Sequence, residues 1–307
     1  MINIAILIPS FNNEDTISYT LESIQSQREW VKKISAVYIA DDCSSDRTIA
    51  LAEASWQSLI PLQVFPANKN VGERGNVNRA MTLIRDSIDW VLLLHSDDIA
   101  KPNWLEMMVS RIEVCPDNVG SICSSWDNLM SDGSIEPGED DPSQKIEVIE
   151  GNNDAIKGTL LKGCWWHISG CAIRVKAFED CGCFDPNLPQ LGDWEWLLRC
   201  LQSGWSVEYI PRTLILYRQH VGSVSSKSFQ THRDIREFLQ IIPKYITFLE
   251  SHDLFYIYLQ RMRFIFRRLV KSLITLNTQR VWQSFQVFFM LLGSLRACQK
   301  QLKMIDE

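Results

Sequence analysis

Through the first half of this chain, short β-branched apolar runs alternate with segments of helical spacing; long helical faces dominate the end. Ile2–Ile8 is an unbroken apolar run, the pattern of a strand buried on both faces, and it is expected to stop at Pro9. Asn13, Glu14 and Asp15 then supply capping and first-turn acids to a helix carrying Ile17, Leu21 and Ile24 on one face. Further strands are predicted at Ala36–Ala40, Leu62–Phe65, Trp90–Leu94 and Val119–Cys123. Strands alternating with helices imply an α/β fold, with a mainly parallel sheet covered on both faces. Ser131–Ser143, rich in Gly, Pro and acids, reads as a surface loop long enough to serve as a lid.

From Arg261 to Ile274 a helical wheel gathers Met262, Ile265, Phe266, Leu269 and Leu273 on one side and Arg261, Arg267, Arg268 and Lys271 on the other. Charge sharpens this division. Residues 254–305 carry nine Lys and Arg and no Asp or Glu, while residues 1–253 are strongly acidic. The expected organisation is an α/β domain at 1–228 and a basic amphipathic helical extension at 229–307. Three roles stand open for the extension: packing on the core, peripheral contact with an anionic membrane, and homodimerisation.

Composition adds exclusions. With 46% hydrophobic and 22% charged residues the chain is neither disordered nor a multi-span membrane protein. The N-terminus lacks a basic region and a long apolar stretch, and nine scattered cysteines read as reduced thiols, so a cytoplasmic location is expected, with the inner membrane face open. No nucleic-acid partner is expected.

Open α/β sheets bind ligands at the carboxyl ends of their strands. Three such ends carry chemistry here: Pro9-Ser10-Phe11-Asn12, Asp41-Asp42 and Asp97-Asp98. Capping explains Asp46 well. It explains Asp97-Asp98 poorly, because adjacent carboxylates repel; a divalent cation shared with a substrate diphosphate removes that repulsion. Neither a glycine-rich dinucleotide loop nor a Walker-type loop occurs, so metal and side chains must hold the phosphates. Arg74, in Asn68–Gly75 after the third strand, is placed to reach a base or phosphate.

Ile8-Pro9-Ser10-Phe11-Asn12, Ile39-Ala40-Asp41-Asp42-Cys43-Ser44-Ser45-Asp46, Asn70-Val71-Gly72 with Asn78, and Leu94-His95-Ser96-Asp97-Asp98 together resemble the opening of family 2 glycosyltransferases of the GT-A fold. Gly182-Cys183-Phe184-Asp185, Gly192-Asp193-Trp194-Glu195 with Arg199, and Tyr217-Arg218-Gln219-His220 resemble the second half of that family, so the likeness spans about residues 2 to 226. It implies an inverting, metal-dependent hexosyl- or N-acetylhexosaminyltransferase serving polysaccharide or glycoconjugate biosynthesis. The implied donor is a nucleotide sugar, UDP- or dTDP-linked, and the implied acceptor is a hydroxyl of a saccharide or glycoconjugate. Pro9 and Phe11 are implied at the nucleotide, with the Phe11 ring against the base, and Asp42 accepts from the base N3–H. Asp98 is implied as direct ligand to Mn²⁺ or Mg²⁺, Asp97 at the ribose or a metal-bound water, and His220 near the metal or diphosphate. His95 departs from the family's usual Asp, leaving open which carboxylate ligates.

Asp193 has two compatible readings, helix N-cap and general base; the resemblance favours the base, with Glu195 the competing carboxylate. Trp165-Trp166 is a candidate acceptor platform. No Gln-x-x-Arg-Trp element of processive members occurs, so one sugar per encounter is expected. Two other classes compete. A nucleotidyltransferase wants a glycine-rich basic loop after the first strand, which Pro9-Ser10-Phe11 is not. A non-catalytic nucleotide-sugar-binding module would keep Asp42 and the acidic pair without needing Asp193.

Overall fold

The computed structural model describes residues 2–219 and 230–306. It divides into two compact units, one of residues 1–152 and 166–220, the other of residues 153–165 and 221–307. The first unit holds strands β1 (Ile4–Ser10), β2 (Ala36–Asp41), β3 (Leu62–Pro66), β4 (Trp90–Leu93), β5 (Ile99–Ala100), β6 (Val119–Leu129), β7 (Ile135–Glu136), β8 (Glu147–Ile149), β9 (Ala172–Arg174) and β10 (Ser206–Arg218). Its helices are α1 (Ile17–Gln25), α2 (Thr48–Ser55), α3 (Gly72–Ile84), α4 (Trp104–Ile112), α6 (Val175–Cys181) and α7 (Gly192–Gln202). The sheet runs β3-β2-β1-β4-β9-β6-β10-β5. β1 to β4 are parallel, β9 runs against both β4 and β6, and β10 returns parallel to β6.

Every residue of β1 is buried, as its continuous apolar run demands. Ile4, Ile6 and Ile8 join α1 and α4 in one core, while the intervening Ala5 and Leu7 face the opposite side, where α3 packs. Each such fully buried Ile or Leu contributes about 1.5–3 kcal/mol. All five expected strands form. β1 does not end at Pro9, however: the Asp42 N–H donates to the Ser10 carbonyl at 2.8 Å, so the parallel ladder continues past the proline, which has no N–H to give. Ser131–Ser143 folds back as a hairpin through β7 onto β6, pinned by the Gly138 N–H on Asp127 and by Arg212 on Asp140.

The second unit holds α5 (Asn153–Lys162), α8 (Arg233–Ile241), a 3₁₀ segment (Ile242–Phe248), α9 (Ser251–Ile274) and α10 (Thr278–Asp306). The expected cut at residue 228 lies outside the described residues, and one segment departs from it: 153–165 belongs with the helices. Buried Ile156 and Leu160 pack there, and ion pairs add to them. Lys157 on α5 pairs with Glu250 at 3.0 Å and Asp253 at 2.8 Å, the two acids that form the capping box of α9. The helical wheel of α9 is also corrected. Arg268 grips Asp234 with two bonds of 2.8 and 2.7 Å, and Arg261 lies over the Phe238 ring, so part of the basic face turns inward onto α8. Phe266 and Leu273, on the apolar side of the wheel, are exposed. Among the described residues no helix is long and apolar enough to cross a membrane, and all nine cysteines are free thiols.

The fully buried Glu208 on β10 is balanced by a bidentate pair with Arg111 on α4, at 2.9 and 3.0 Å. Arg111→Met should destabilise the protein by about 3–5 kcal/mol, since it leaves that carboxylate buried and unpaired. Adding Glu208→Leu should recover most of the loss. Urea denaturation of both variants checks this.

Candidate active site

The site is built where the parallel strands end. At the end of β2, Asp41 accepts the Ser10 hydroxyl at 3.3 Å and the Ser44 N–H at 2.9 Å, which folds the following turn. Its neighbour Asp42 accepts the backbone N–H groups of Val71 and Gly72, each at 2.8 Å. These are donors at the start of α3, which have no partner inside the helix. Gly72 adopts φ +78°, a conformation that favours glycine there. Asp42 therefore clasps the N-terminus of α3, a role the sequence did not disclose. Each of its oxygens keeps a second lone pair for a ligand.

Phe11, after β1, is 46% exposed, its N–H held by the Asn13 side chain at 3.0 Å, so its ring is open to a stacking partner. Pro9 is different: it is buried inside β1, and only the strand that it extends reaches the site.

After β4 the chain turns through His95, Ser96, Asp97 and Asp98. Asp98 is wholly buried. Its Oδ1 accepts the Arg218 N–H from the end of β10 at 2.9 Å, and its carbonyl accepts the Thr20 hydroxyl of α1 at 2.7 Å. Its Oδ2 is sealed from solvent without a well-formed hydrogen bond, 4.0 Å from His95 Nδ1. Ligating atoms of His95, Asp97 and Asp98 all lie within 4.8 Å of one another. Burial, and then the Asp97 charge, push the Asp98 carboxyl up to about 7, against the pull of His95, the Ser169 hydroxyl and the Arg218 N–H. An unsatisfied buried oxygen beside a second carboxylate fits a divalent cation, for which hard carboxylate oxygens are ordinary ligands.

His95 makes a 3.3 Å ion pair with Glu73 on α3. Burial alone would lower the imidazole, but the Glu73 charge, followed by Asp98 and Asp97, pushes it up to about 9. Burial of Glu73 is likewise outweighed, and Arg74 and His95 hold it well below the usual carboxylate range. Arg74 bonds Glu73 at 2.7 Å and lies 3.8 Å from Asp193 Oδ1. It was expected to reach a base or phosphate. It is instead buried, over the Phe184 ring at 5.6 Å and against Gly192, where a Cβ would approach its Nε to 3.1 Å.

Asp193 sits inside the first turn of α7, not at the N-cap, which is Leu191. Its Oδ1 takes the Trp194 N–H at 2.8 Å, so it does satisfy one end-of-helix donor. Burial raises its carboxyl above the ordinary value although Arg74 and the Trp194 N–H pull it down. The competing Glu195 is fully engaged: it forms a bidentate pair with Arg199, which in turn donates to the carbonyls of Gly182 and Cys183. Trp166 also loses its expected role. It is buried among Phe184 and Trp196 with its indole on Ser121, while Trp165 belongs to the second unit, bonded to Thr159. His220 lies outside the described residues.

Sequence reasoning passed over Glu73 and His167. His167 bonds the Ser169 carbonyl at 3.0 Å, stacks on Trp126 at 4.6 Å, meets the edge of Tyr217 at 4.8 Å, and lies 6.4 Å from the His95 ring. Burial lowers it to about 4, so it is neutral. The available signal was its place next to a buried tryptophan in an extended segment, where successive side chains face opposite sides.

A mixed sheet with paired carboxylates after β4 and a third, half-buried one at the head of α7 defines a glycosyltransferase of the GT-A fold. The chain belongs to glycosyl transferase family 2, whose model matches residues 5–180. It is 26% identical to an uncharacterized glycosyltransferase of Haemophilus influenzae, over 76% of this chain and 74% of that one. It is 24% identical to the amylovoran biosynthesis glycosyltransferase AmsE of Erwinia amylovora, over 73% and 79%. Among solved structures, residues 1–349 of S. aureus TarS in complex with UDP-GlcNAc superpose with a TM-score of 0.68, at 17% identity over 96% of this chain and 82% of that one. The mannosyltransferase PcManGT from Pyrobaculum calidifontis, in complex with GDP-Man and Mn²⁺, gives 0.60 at 14% identity over 99% and 88%. Family membership makes the chain an enzyme and removes the binding-module alternative. The family match ends before Asp193, so the reading of that residue rests on its geometry here and on the resemblance of its motif.

Asp42→Asn should destabilise the protein by about 1–2 kcal/mol without any nucleotide present, because one of the two helix-end N–H groups loses its acceptor. Thermal melting of the ligand-free protein measures this. An unchanged melting temperature would reduce Asp42 to a ligand contact alone.

Proposed function

We propose that the protein is an inverting, metal-dependent, non-processive transferase that moves a sugar from a nucleoside diphosphate to an acceptor hydroxyl. One observation carries this reading. A chain of alternating charge runs from the buried Asp98 to Asp193: Asp98 to His95 at 4.0 Å, His95 to Glu73 at 3.3 Å, Glu73 to Arg74 at 2.7 Å, Arg74 to Asp193 at 3.8 Å. It ties the acidic pair, taken as the donor side, to Asp193, taken as the acceptor side, through a run of charged contacts.

The Phe11 ring stacks on the base, and Asp42 accepts its N3–H on a remaining lone pair, which favours uracil or thymine. TarS and PcManGT, the structural relatives, are bound to UDP-GlcNAc and to GDP-Man with Mn²⁺ respectively, which supports a nucleotide-sugar donor and a divalent cation here. Asp98 and Asp97 would hold the cation, with the charged His95 beside them, and the cation when bound would stabilise the charge that gathers on the departing diphosphate. Asp193 takes the proton of the acceptor hydroxyl as its oxygen attacks the anomeric carbon. Burial strengthens it as a base, and Arg74 keeps it charged and aimed. Such assistance accelerates transfer by ~10²–10⁴-fold. A single base opposite the leaving group gives in-line displacement and inversion. The biosynthetic role of AmsE supports a saccharide or glycoconjugate acceptor.

The test pairs two measurements on the whole chain. Nucleotide release from a panel of nucleotide sugars with Mn²⁺ should identify a donor that the enzyme hydrolyses slowly without acceptor. Calorimetric titration with UDP should show Mn²⁺ tightening binding at least about tenfold, and Asp98→Ala should abolish that gain. An unchanged UDP affinity on adding the metal would remove metal dependence, and release from no donor would remove the donor class.

A further inference from the structure

More than half of the large apolar side chains exposed among the described residues lie on α9, α10 and the turn between them. Patches of that extent on a soluble surface mark a contact. Their arrangement is specific. α9 and α10 form an antiparallel hairpin, tied by Tyr258 to Ser294 at 2.6 Å, while His232 at the start of α8 bonds Ser284 of α10 at 3.0 Å. At its tip Leu273, Ile274 and Leu276 are 53%, 76% and 86% exposed, with Trp282 one turn into α10 at 66%. Behind the tip, cations occupy the solvent face of each helix: Arg263, Arg267 and Lys271 on α9, Arg296, Lys300 and Lys303 on α10. On α9 the three cations recur at i, i+4 and i+8 and so form one row. A groove lined by Met262, Phe266 and Phe288 with Arg263 and Arg267 sets guanidinium groups beside an apolar floor.

We propose that this hairpin docks on the surface of an anionic lipid bilayer, with its apolar tip entering the headgroup boundary and the row of Arg263, Arg267 and Lys271 on lipid phosphates. The chemistry matches at each level. Residues 254–305 contain no acid to offset nine basic side chains, and the inward-turned Arg261 and Arg268 are already partnered, so the outward cations are available. An exposed tryptophan beside an apolar tip suits the bilayer interface, where an amphipathic ring bridges hydrocarbon and water. The helices do not meet the length and hydropathy of a span, which leaves lying on the membrane. A second copy of the chain is disfavoured by symmetry. A two-fold dimer sets the same patch against itself, and here that would oppose cations to cations with no acid on the face.

Co-flotation of the full chain with vesicles tests this. The protein should float with vesicles of 70% phosphatidylcholine and 30% phosphatidylglycerol, and should stay behind with pure phosphatidylcholine. Raising salt to about 0.5 M should weaken binding strongly, a readout that needs no variant. Each cation near an anionic surface is worth about fivefold, so Arg263→Gln, Arg267→Gln and Lys271→Gln together should weaken partitioning by on the order of 100-fold. Leu273→Ser, Ile274→Ser and Leu276→Ser together should also release the protein, with helix content and melting temperature unchanged because all three side chains are exposed. Failure of the wild type to float with anionic vesicles would overturn the proposal, as would equal binding to neutral ones. So would a dimer in sizing that the tip variant converts to monomer.

Discussion

Asp98 cannot be a surface carboxylate, and much of the first unit is arranged around that fact. It is sealed at the end of β4 beside Asp97, with one oxygen on the Arg218 N–H and its carbonyl under the Thr20 hydroxyl. Arg218 also donates to the Asp97 carbonyl at 2.8 Å, so the end of β10 is laced to the same turn twice. A buried carboxylate without compensation costs several kcal/mol. Compensation comes from His95, whose charge is kept by Glu73, whose charge is kept by Arg74, which also steadies Asp193. Remove the acidic pair and this alternation loses its purpose.

Helix α3 organises the rest. Asp42 fixes its N-terminus, Glu73 and Arg74 project from its first turn, and Asn76 donates to the Ala40 carbonyl at 2.6 Å to lock it to β2. One turn on, Asn78 exchanges hydrogen bonds with the backbone of Phe184, at 2.8 and 3.0 Å, and so fixes the loop that leads to α7. A single helix thus relates the carboxyl end of β2 to the position of Asp193. The Asn70-Val71-Gly72 and Asn78 pattern in the sequence corresponds to this mechanical role.

What the sequence disclosed follows from how local its causes are. β1 was legible because seven consecutive residues are buried, and the acidic pair because two adjacent carboxylates need an external reason. β10 was not: Pro211 and Arg212 lie where its register on β6 shifts, and that irregularity hides a strand of thirteen residues. Arg74 read as an exposed arm because nothing nearby in sequence reveals that Gly192, far along the chain, leaves room for it. The α9 wheel failed for the same reason. Asp234 and Phe238 on a separate helix draw Arg268 and Arg261 inward, and no periodicity within α9 encodes them. The strong pattern of charge along the chain survived, because it depends on composition and not on partners.

The central claim is that Asp193 removes a proton in the transition state, and Asp193→Asn addresses it most directly. The amide keeps the shape and can still accept the Trp194 N–H, so a purely structural Asp193 tolerates the change. As a base it does not: transfer to a working acceptor should fall by ~10²–10⁴-fold, while UDP affinity measured by calorimetry in the presence of Mn²⁺ stays near that of the wild type. Retained transfer in the Asn variant would contradict the assignment of the base, and loss of nucleotide affinity along with transfer would make Asp193 a structural residue instead.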